Sequence, residues 1–284
     1  ASTDFTRGQA WYDLEVGVNP KNAADVTIGG INLFRSTNAG SNWKQISKWS
    51  ENANMNQLSC SYVHADQHAI KYHSDGKQII IGNDGGVFYC SDITNSPENR
   101  SAAFIEKNNG YMVTQFYCGD MSMTKNSDVM IAGAQDNGTK YFYTSGVNDE
   151  TTLSGGDGGY CMISETSEIT HVVSYTYNNF FATTNNWSSF VQVLSDASSG
   201  KFINPADLDY VNNILYSGKT TGELYRNSIT QNSSNASTIT FGGSSSGKSS
   251  ALYAYKRKSN NKNRLIVGSD VGKLFYSDNA ETSS

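Results

Sequence analysis

YVHADQHAIKYHSDGKQIIIGNDGGVFYCS, Tyr62 to Ser91, is the stretch whose reading decides the fold. Its second half places an apolar run, Gln78 to Ile81, before the turn GNDGG, Gly82 to Gly86, and a second apolar run, Val87 to Cys90, after it. Two β-rich segments around residues that tolerate positive φ read as a hairpin. A further strand with a polar face, starting at His64, precedes them, so the whole stretch predicts a β-meander.

Parts of this meander recur. IGGINLFRST (Ile28 to Thr37), IGNDGGVFYCS (Ile81 to Ser91), AGAQDNGTKYFYTS (Ala132 to Ser145), YSGKTTGELYRNS (Tyr216 to Ser228) and VGSDVGKLFYS (Val267 to Ser277) align, with a weaker copy in VVSYTYNNFFATT (Val172 to Thr184). The anchors Gly29, Gly82, Gly133, Ser174, Gly218 and Gly268 are separated by 53, 51, 41, 44 and 50 residues. One hairpin every 40 to 50 residues is the signature of propeller blades.

A short β-rich segment precedes each copy: WYDLEVGV, HADQHAIKY, TQFYCGDM, GGYCMIS, INPADLDY and ALYAYKRK, expected as the innermost strands. Fourth strands are expected in SNWKQISKW, AAFIEKN, WSSFVQVL and STITFGG. The prediction is an all-β propeller of four-stranded blades in a single domain. Six are visible, near 11–50, 63–110, 113–157, 158–200, 201–245 and 250–284. Only SDNAETSS follows Tyr276; the last blade is therefore short. Either residues 1 to 10 close it from the other terminus, or the chain is a piece of a longer propeller that could carry further domains; the second is expected because residues 1 to 10 make a poor strand.

With 284 residues, a charged fraction of 17% and a net charge of −5, the chain has no basic footprint, which argues against nucleic acid. No 18-residue apolar run suggests membrane insertion. ASTDFTRGQA, residues 1 to 10, lacks the pattern of a signal peptide. Cys60, Cys90, Cys118 and Cys161 are too scattered for a disulfide scaffold or a CxxC metal site and read as separate strand thiols.

Candidate chemistry lies in polar clusters. On a regular strand His64, Asp66 and His68 share one face in steps of about 7 Å. They could ligate a metal, or be hydrogen-bonded ties between blades. Asp84 in GNDGG, Asp136 in AQDNG and Asp157 in GGDGG could hold Ca²⁺, bind sugar hydroxyls, or act as the acid and base of a glycosidase. Equally, they could stabilise tight turns. Asp136 and Asn137, with Tyr175 and Tyr177 in the turn of the fourth blade, are the candidate ligand contacts.

STNAGSNW, Ser36 to Trp43, resembles the Asp-box hairpin S-x-D-x-G-x-x-W of sialidase-type and sortilin-type (BNR-repeat) propellers, with Asn38 in place of Asp. ATTNNW, Ala182 to Trp187, and YSDNAET are similar to decayed copies. The resemblance implies a structural role for Ser36, Asn38, Gly40, Trp43 and Trp187: capping a turn and packing between blades. The succession from WYDLEVGVNP through GGINLFRSTNAGSNW, VHADQHAI, GNDGGVFYCS and AGAQDNGT to GGDGG, over residues 11 to 165, resembles secreted or surface proteins of Bacteroidota, including type 9 secretion substrates. That implies a secreted or cell-surface location. GGDGG is faintly similar to acidic segments of xyloglucan-degrading two-propeller hydrolases.

A sialidase needs an arginine triad, and Arg7, Arg35, Arg100, Arg226, Arg257 and Arg264 supply no inward trio. GxSxG and P-loop motifs are absent, and GSSSGKSS, Gly243 to Ser250, has the wrong spacing. The expectation is a non-catalytic binding or structural module for glycan or protein partners. The alternative is a glycoside hydrolase whose aspartates act as acid and base.

Overall fold

The computed structural model describes residues 4–52, 54–95, 103–111, 113–124, 126–146, 150–164, 171–183, 185, 187–230, 234–256 and 263–282. Arg100, Arg257, Thr184 and Asn186 lie outside them. The chain divides into two compact units, Ala1–Val113 and Thr114–Ser284.

The first unit holds two four-stranded antiparallel sheets. One runs β1 (Glu15–Val18), β2 (Val26–Gly29), β3 (Leu33–Ser36) and β4 (Lys44–Gln45). Between the two sheets comes a short parallel pair, β5 (Ser47–Lys48) with β6 (Ser61–Tyr62), that the sequence did not announce. The second sheet is β7 (Gln67–Tyr72), β8 (Ile79–Asn83), β9 (Gly86–Cys90) and β10 (Ile105–Glu106).

The second unit repeats the pattern. Its first sheet is β11 (Cys118–Met121), β12 (Met130–Ala134), β13 (Gly138–Phe142) and β14 (Thr151–Ser154). The next is β15 (Cys161–Ile163), β16 (His171–Ser174), β17 (Asn178–Thr183) and β18 (Val191–Asp196). It is followed by β19 (Ala206–Asp209), β20 (Ile214–Gly218), β21 (Glu223–Ile229) and β22 (Ser234–Thr240). The last, β23 (Ser249–Lys256), β24 (Asn263–Ser269) and β25 (Leu274–Ser277), has three strands. Every one of these sheets is an antiparallel meander, and the described residues contain no helix. This is the all-β, blade-by-blade architecture of a β-propeller.

Period-2 alternation puts one face of each sheet against the next. In the first unit Leu33 from β3 meets Ile70, Ile81 and Phe88 from β7, β8 and β9. In the second, Val172 and Phe180 meet Leu208 and Leu215, while Tyr216 and Leu224 meet Leu265 and Val267.

Gly29, Gly133 and Gly218 among the anchors follow from this packing, whereas Gly82 and Gly268 meet nothing nearer than Ala69 and Ala251 within their own sheets, at 3.4 and 3.6 Å. A Cβ on Gly29 would lie 2.6 Å from Gln67 Cβ on the next sheet, and one on Gly133 would lie 2.0 Å from the Gly159 carbonyl oxygen. The end of a second strand therefore approaches the neighbouring inner strand too closely for a side chain.

Polar ties reinforce the seams. The Arg35 guanidinium is buried, pairs with both oxygens of Asp25 at 2.7 and 2.9 Å, and donates to the Ile93 carbonyl at 2.5 Å. At the equivalent position of β21, Arg226 donates to the Ala280 carbonyl at 3.1 Å. Asn178, on β17, donates to Ser199 Oγ and the Gly218 carbonyl and accepts from Ser217 Oγ and Asn204 Nδ2.

Two measurements check this arrangement. Ile81 is 0% exposed and its neighbour Ile80 is 50% exposed. In chemical denaturation Ile81→Ala is expected to cost about 2–5 kcal/mol and Ile80→Ala under about 0.5 kcal/mol; reversed effects would mean that β8 sits in the other register. Asn178→Ala, which strands several buried partners, is expected to cost about 2–4 kcal/mol in the same assay.

Candidate functional site

In the first unit the polar stretch before β7 does not form the regular strand expected from His64. Asp66 takes φ of +64° and the register shifts between Gln67 and Ala69, so the alternation that would place His64, Asp66 and His68 on one face is broken. The His64 ring instead packs over Gly85, where an added Cβ would lie 2.3 Å from its Cγ. His64 thus stands apart from the proposed metal trio as a packing residue.

Asp66 and His68 join a different set. Tyr12 Oη donates to Asp84 at 3.0 and 2.9 Å, and His68 Nε2 lies 2.5 Å from Asp84 Oδ1. The Tyr12 and His68 rings meet edge to face at 4.8 Å. Gln9 Nε2 reaches Asp66 Oδ1 at 3.4 Å. Burial, with the neighbouring charges of Asp13 and Asp84, pushes Asp66 up to about 6. Asp13 is pushed up as well, chiefly by burial. Sequence reasoning passed over Asp13 because it sits in an apolar-aromatic segment, WYDLEV, that reads as strand.

In the second unit the acidic turns come together. The Asp136 backbone N–H, at φ of +58°, donates to Asp157 Oδ1 at 3.3 Å. Burial pushes Asp157 up, and the Tyr175 hydroxyl is hydrogen-bonded to its carboxyl group. Asn137 is exposed and turns its amide back to the Gln135 carbonyl at 3.1 Å. Tyr177 does not join them: its ring packs edge-on against Phe202 at 5.9 Å.

The inner strands of all four sheets in this unit converge on one cavity of about 440 Å³. Met121 and Met123 come from β11 and just beyond it, Met162 from β15, Tyr210 from just after β19, and Tyr253 and Tyr255 from β23. The two tyrosines of β23 stack at 5.4 Å and 22°. Met123 is 85% exposed and Tyr253 59%. The carboxylates here are clasps. Asp120 Oδ2 accepts from the Ile163 N–H at 2.8 Å, and Asp207 Oδ2 accepts from the Ala254 N–H at 2.6 Å, each tying its inner strand to the next. Burial pushes Asp207 up to about 6. Beside this cavity Cys118 and Cys161 are free thiols on adjacent inner strands, each sulfur lying 3.7–3.8 Å from the other's carbonyl oxygen.

A second, more open cavity of about 640 Å³ lies against β13 and β14 and is lined by Tyr141, Tyr143, Thr152, Trp187 and Ser188. Its aromatic wall holds a buried imidazole: His171 sits edge-on to Tyr141 at 5.3 Å and stacks on Trp187 at 6.3 Å, and burial lowers its pKa to about 4.

The turns after the third strands share one hydrogen-bond scheme. After β3, Ser36 Oγ accepts from the N–H groups of Asn38 and Gly40, and Asn38 Oδ1 accepts from the Asn42 N–H. After β17, Thr183 Oγ1 accepts from Asn185 and Trp187, and Asn185 Oδ1 from Ser189. Trp187 therefore occupies the position of Gly40, with φ of +68° against +82°, and Phe190 occupies that of Trp43. The assignment of Trp187 as the tryptophan of the motif is corrected accordingly. Both Trp43 and Phe190 are exposed rather than wedged between sheets.

No protein-family profile matches the chain, and no curated protein matches it. Among solved structures it is similar to an ancestral GH74 enzyme at 11% identity and a TM-score of 0.43, covering 94% of this chain and 38% of that one. The GH74 enzyme of Niastella koreensis gives 17% and 0.39, covering 94% and 46%. YCF48 bound to the D1 peptide gives 10% and 0.42, covering 96% and 81%. The chain thus spans less than half the length of the two GH74 enzymes.

Asp207 offers a pH test. With its folded pKa near 6 against an ordinary 3.8, the folded chain holds this proton more tightly than the unfolded one. Its contribution therefore favours folding at pH 4 and declines as pH rises to 6. Relative to the parent, Asp207→Asn is expected to gain about 2 kcal/mol between pH 4 and pH 7.5, read by urea denaturation at both.

Proposed function

We infer that this chain is a non-catalytic binding propeller, and that the cavity framed by the inner strands of the second unit receives an extended segment of a protein partner. The observation that carries this is the lining. Flexible methionine side chains and exposed tyrosines surround a cavity large enough for a few residues, and its two carboxylates are held by backbone N–H groups instead of standing free for proton transfer. Methionine adapts to varied apolar partners, and tyrosine supplies rigid contact area with a polar tip. Asp120 and Asp207 set a negative charge beside them and favour a segment carrying lysine or arginine next to an apolar residue.

The acidic turns support binding over hydrolysis. Asp84 is engaged by Tyr12 and His68, and Asp157 by Tyr175 and the Asp136 N–H. A glycosidase needs one carboxyl group as proton donor and a second facing the anomeric carbon or its water.

A glycan reading has its own observation. The open groove of Tyr143, Trp187, Thr152 and Ser188 sets aromatic faces beside hydroxyls, as sugar stacking requires. A secreted or surface position suits either ligand.

Selection of displayed random peptides on the immobilised chain, followed by calorimetry, tests the inference. Peptides pairing a basic with an apolar residue are expected, with at least tenfold weaker binding to Tyr253→Ala and to Met121→Ala. Glycan-array binding lost in Tyr143→Ala, with no peptide selected, would move the site to the groove. Release of reducing ends from a polysaccharide would replace both readings with the hydrolase.

A further inference from the structure

Cys118 and Cys161 face each other across the seam between two inner strands of the second unit. Each sulfur lies against the other residue's carbonyl oxygen, at 3.8 Å from Cys118 and 3.7 Å from Cys161, and the Cys161 sulfur also reaches the Ile131 carbonyl oxygen at 3.4 Å. A second contact fixes the alignment. Asp120, two residues after Cys118, accepts from the N–H of Ile163, two residues after Cys161, so β11 and β15 run side by side at a constant offset of 43 residues. Residues two apart on a strand share a face, and β11 alternates between half-buried Cys118 and Asp120 and exposed Gly119 and Met121. The face that sends the Asp120 carboxylate across to β15 therefore sends the Cys118 sulfur across as well.

The pair is chemically asymmetric. Cys161 is buried, whereas Cys118 keeps part of its surface open to solvent. A hydrogen bond from the Cys161 thiol lowers the pKa of Cys118, and the pKa of Cys161 is raised in turn, by that same bond and by burial. The accessible sulfur thus carries the thiolate and the buried one keeps its proton, which is the division between an attacking and a resolving thiol. A zinc site needs further ligands, and among the described residues no other His, Cys, Asp or Glu joins these two sulfurs in a metal-ligating group. The remaining cysteines, Cys60 and Cys90, are both buried in the first unit.

We propose that Cys118 and Cys161 are a redox dithiol that closes a disulfide across the seam between β11 and β15, by exchange with a small disulfide such as oxidised glutathione. The Cys118 thiolate attacks one sulfur of the incoming disulfide, forms a mixed disulfide and expels a first thiolate. Cys161 gives up its proton to that expelled thiolate, attacks the Cys118 sulfur and expels a second thiolate, which takes up a proton from water in place of the one Cys118 released on ionising. Two protein thiols are oxidised to one disulfide, and the external disulfide is reduced to two thiols. The new bond closes a loop that contains β12, β13 and β14 and restrains the unfolded chain accordingly. Asp120, Met121, Met162 and Ile163, which follow the two cysteines, line the cavity of this unit, so oxidation stiffens one wall of it whatever the cavity binds.

The full chain, reduced with dithiothreitol and desalted, is incubated with oxidised glutathione, alkylated in denaturant and digested without reduction. A peptide pair joining Cys118 to Cys161 is expected, with Cys60 and Cys90 alkylated as free thiols. The oxidised chain is expected to melt about 5 °C or more above the reduced one, and dithiothreitol to reverse both changes. Cys161→Ser is expected to stop at one glutathione on Cys118, and Cys118→Ser to show neither the bridge nor the shift in Tm. The peptide map of the parent chain decides alone should Cys161→Ser fail to fold. Alkylation of all four cysteines after incubation overturns the proposal, as does a bridge between another pair, or glutathione held on Cys118 of the parent chain with no bridge formed.

Discussion

Everything in these two units depends on how closely consecutive sheets approach one another at their inner ends. A side chain on Gly29 or Gly133 would collide with the neighbouring inner strand, so the backbone itself forms the contact surface there. With no side chains to interlock, directional bonds hold the seam. Asp120 and Asp207 reach across to backbone N–H groups, Asn178 bridges to Gly218, and Arg35 and Arg226 span to carbonyls of the following sheet. Apolar packing of Leu33 on Ile81, or Phe180 on Leu215, then fills the width behind the seam.

The same geometry places the candidate sites. Inner strands tied at their edges cannot splay, so residues on their free faces, such as Met121, Tyr210 and Tyr253, are presented around a fixed cavity. In the first unit a kinked strand entry meets a glycine-rich turn, and there the backbone trades regularity for the ability to bring Asp66 and Asp84 close together. Asp66 accepts a left-handed conformation to do so, which aspartate tolerates better than most residues.

Hairpins at a fixed period were legible because glycine and alternating apolar residues are demanded by the backbone. The segments expected as innermost strands contain β1, β7, β11, β15 and β19 and most of β23, which begins two residues before Ala251. What escaped were elements whose stability is borrowed from neighbours: the two-residue pair β5 and β6, and β14, whose TTLS carries little apolar signal. The sites were less legible. Asp136, Asp157 and Tyr175 do meet, because turns of adjacent sheets are brought side by side. His64 left its expected set because a positive φ at Asp66 carries no sequence mark stronger than the residue type. Asp13 and Asp207 were invisible as sites, since their meaning comes from burial among residues distant in the chain.

The turns after β3 and β17 carry a last consequence. One scheme of hydroxyl and amide bonds holds both, yet the first seats a glycine at the left-handed position and the second a tryptophan. The local bonds therefore dictate the backbone there, and the residue type merely submits. A loop of this kind can keep its shape with different letters, and here the indole at the left-handed position stacks on His171 in the aromatic wall of the open groove.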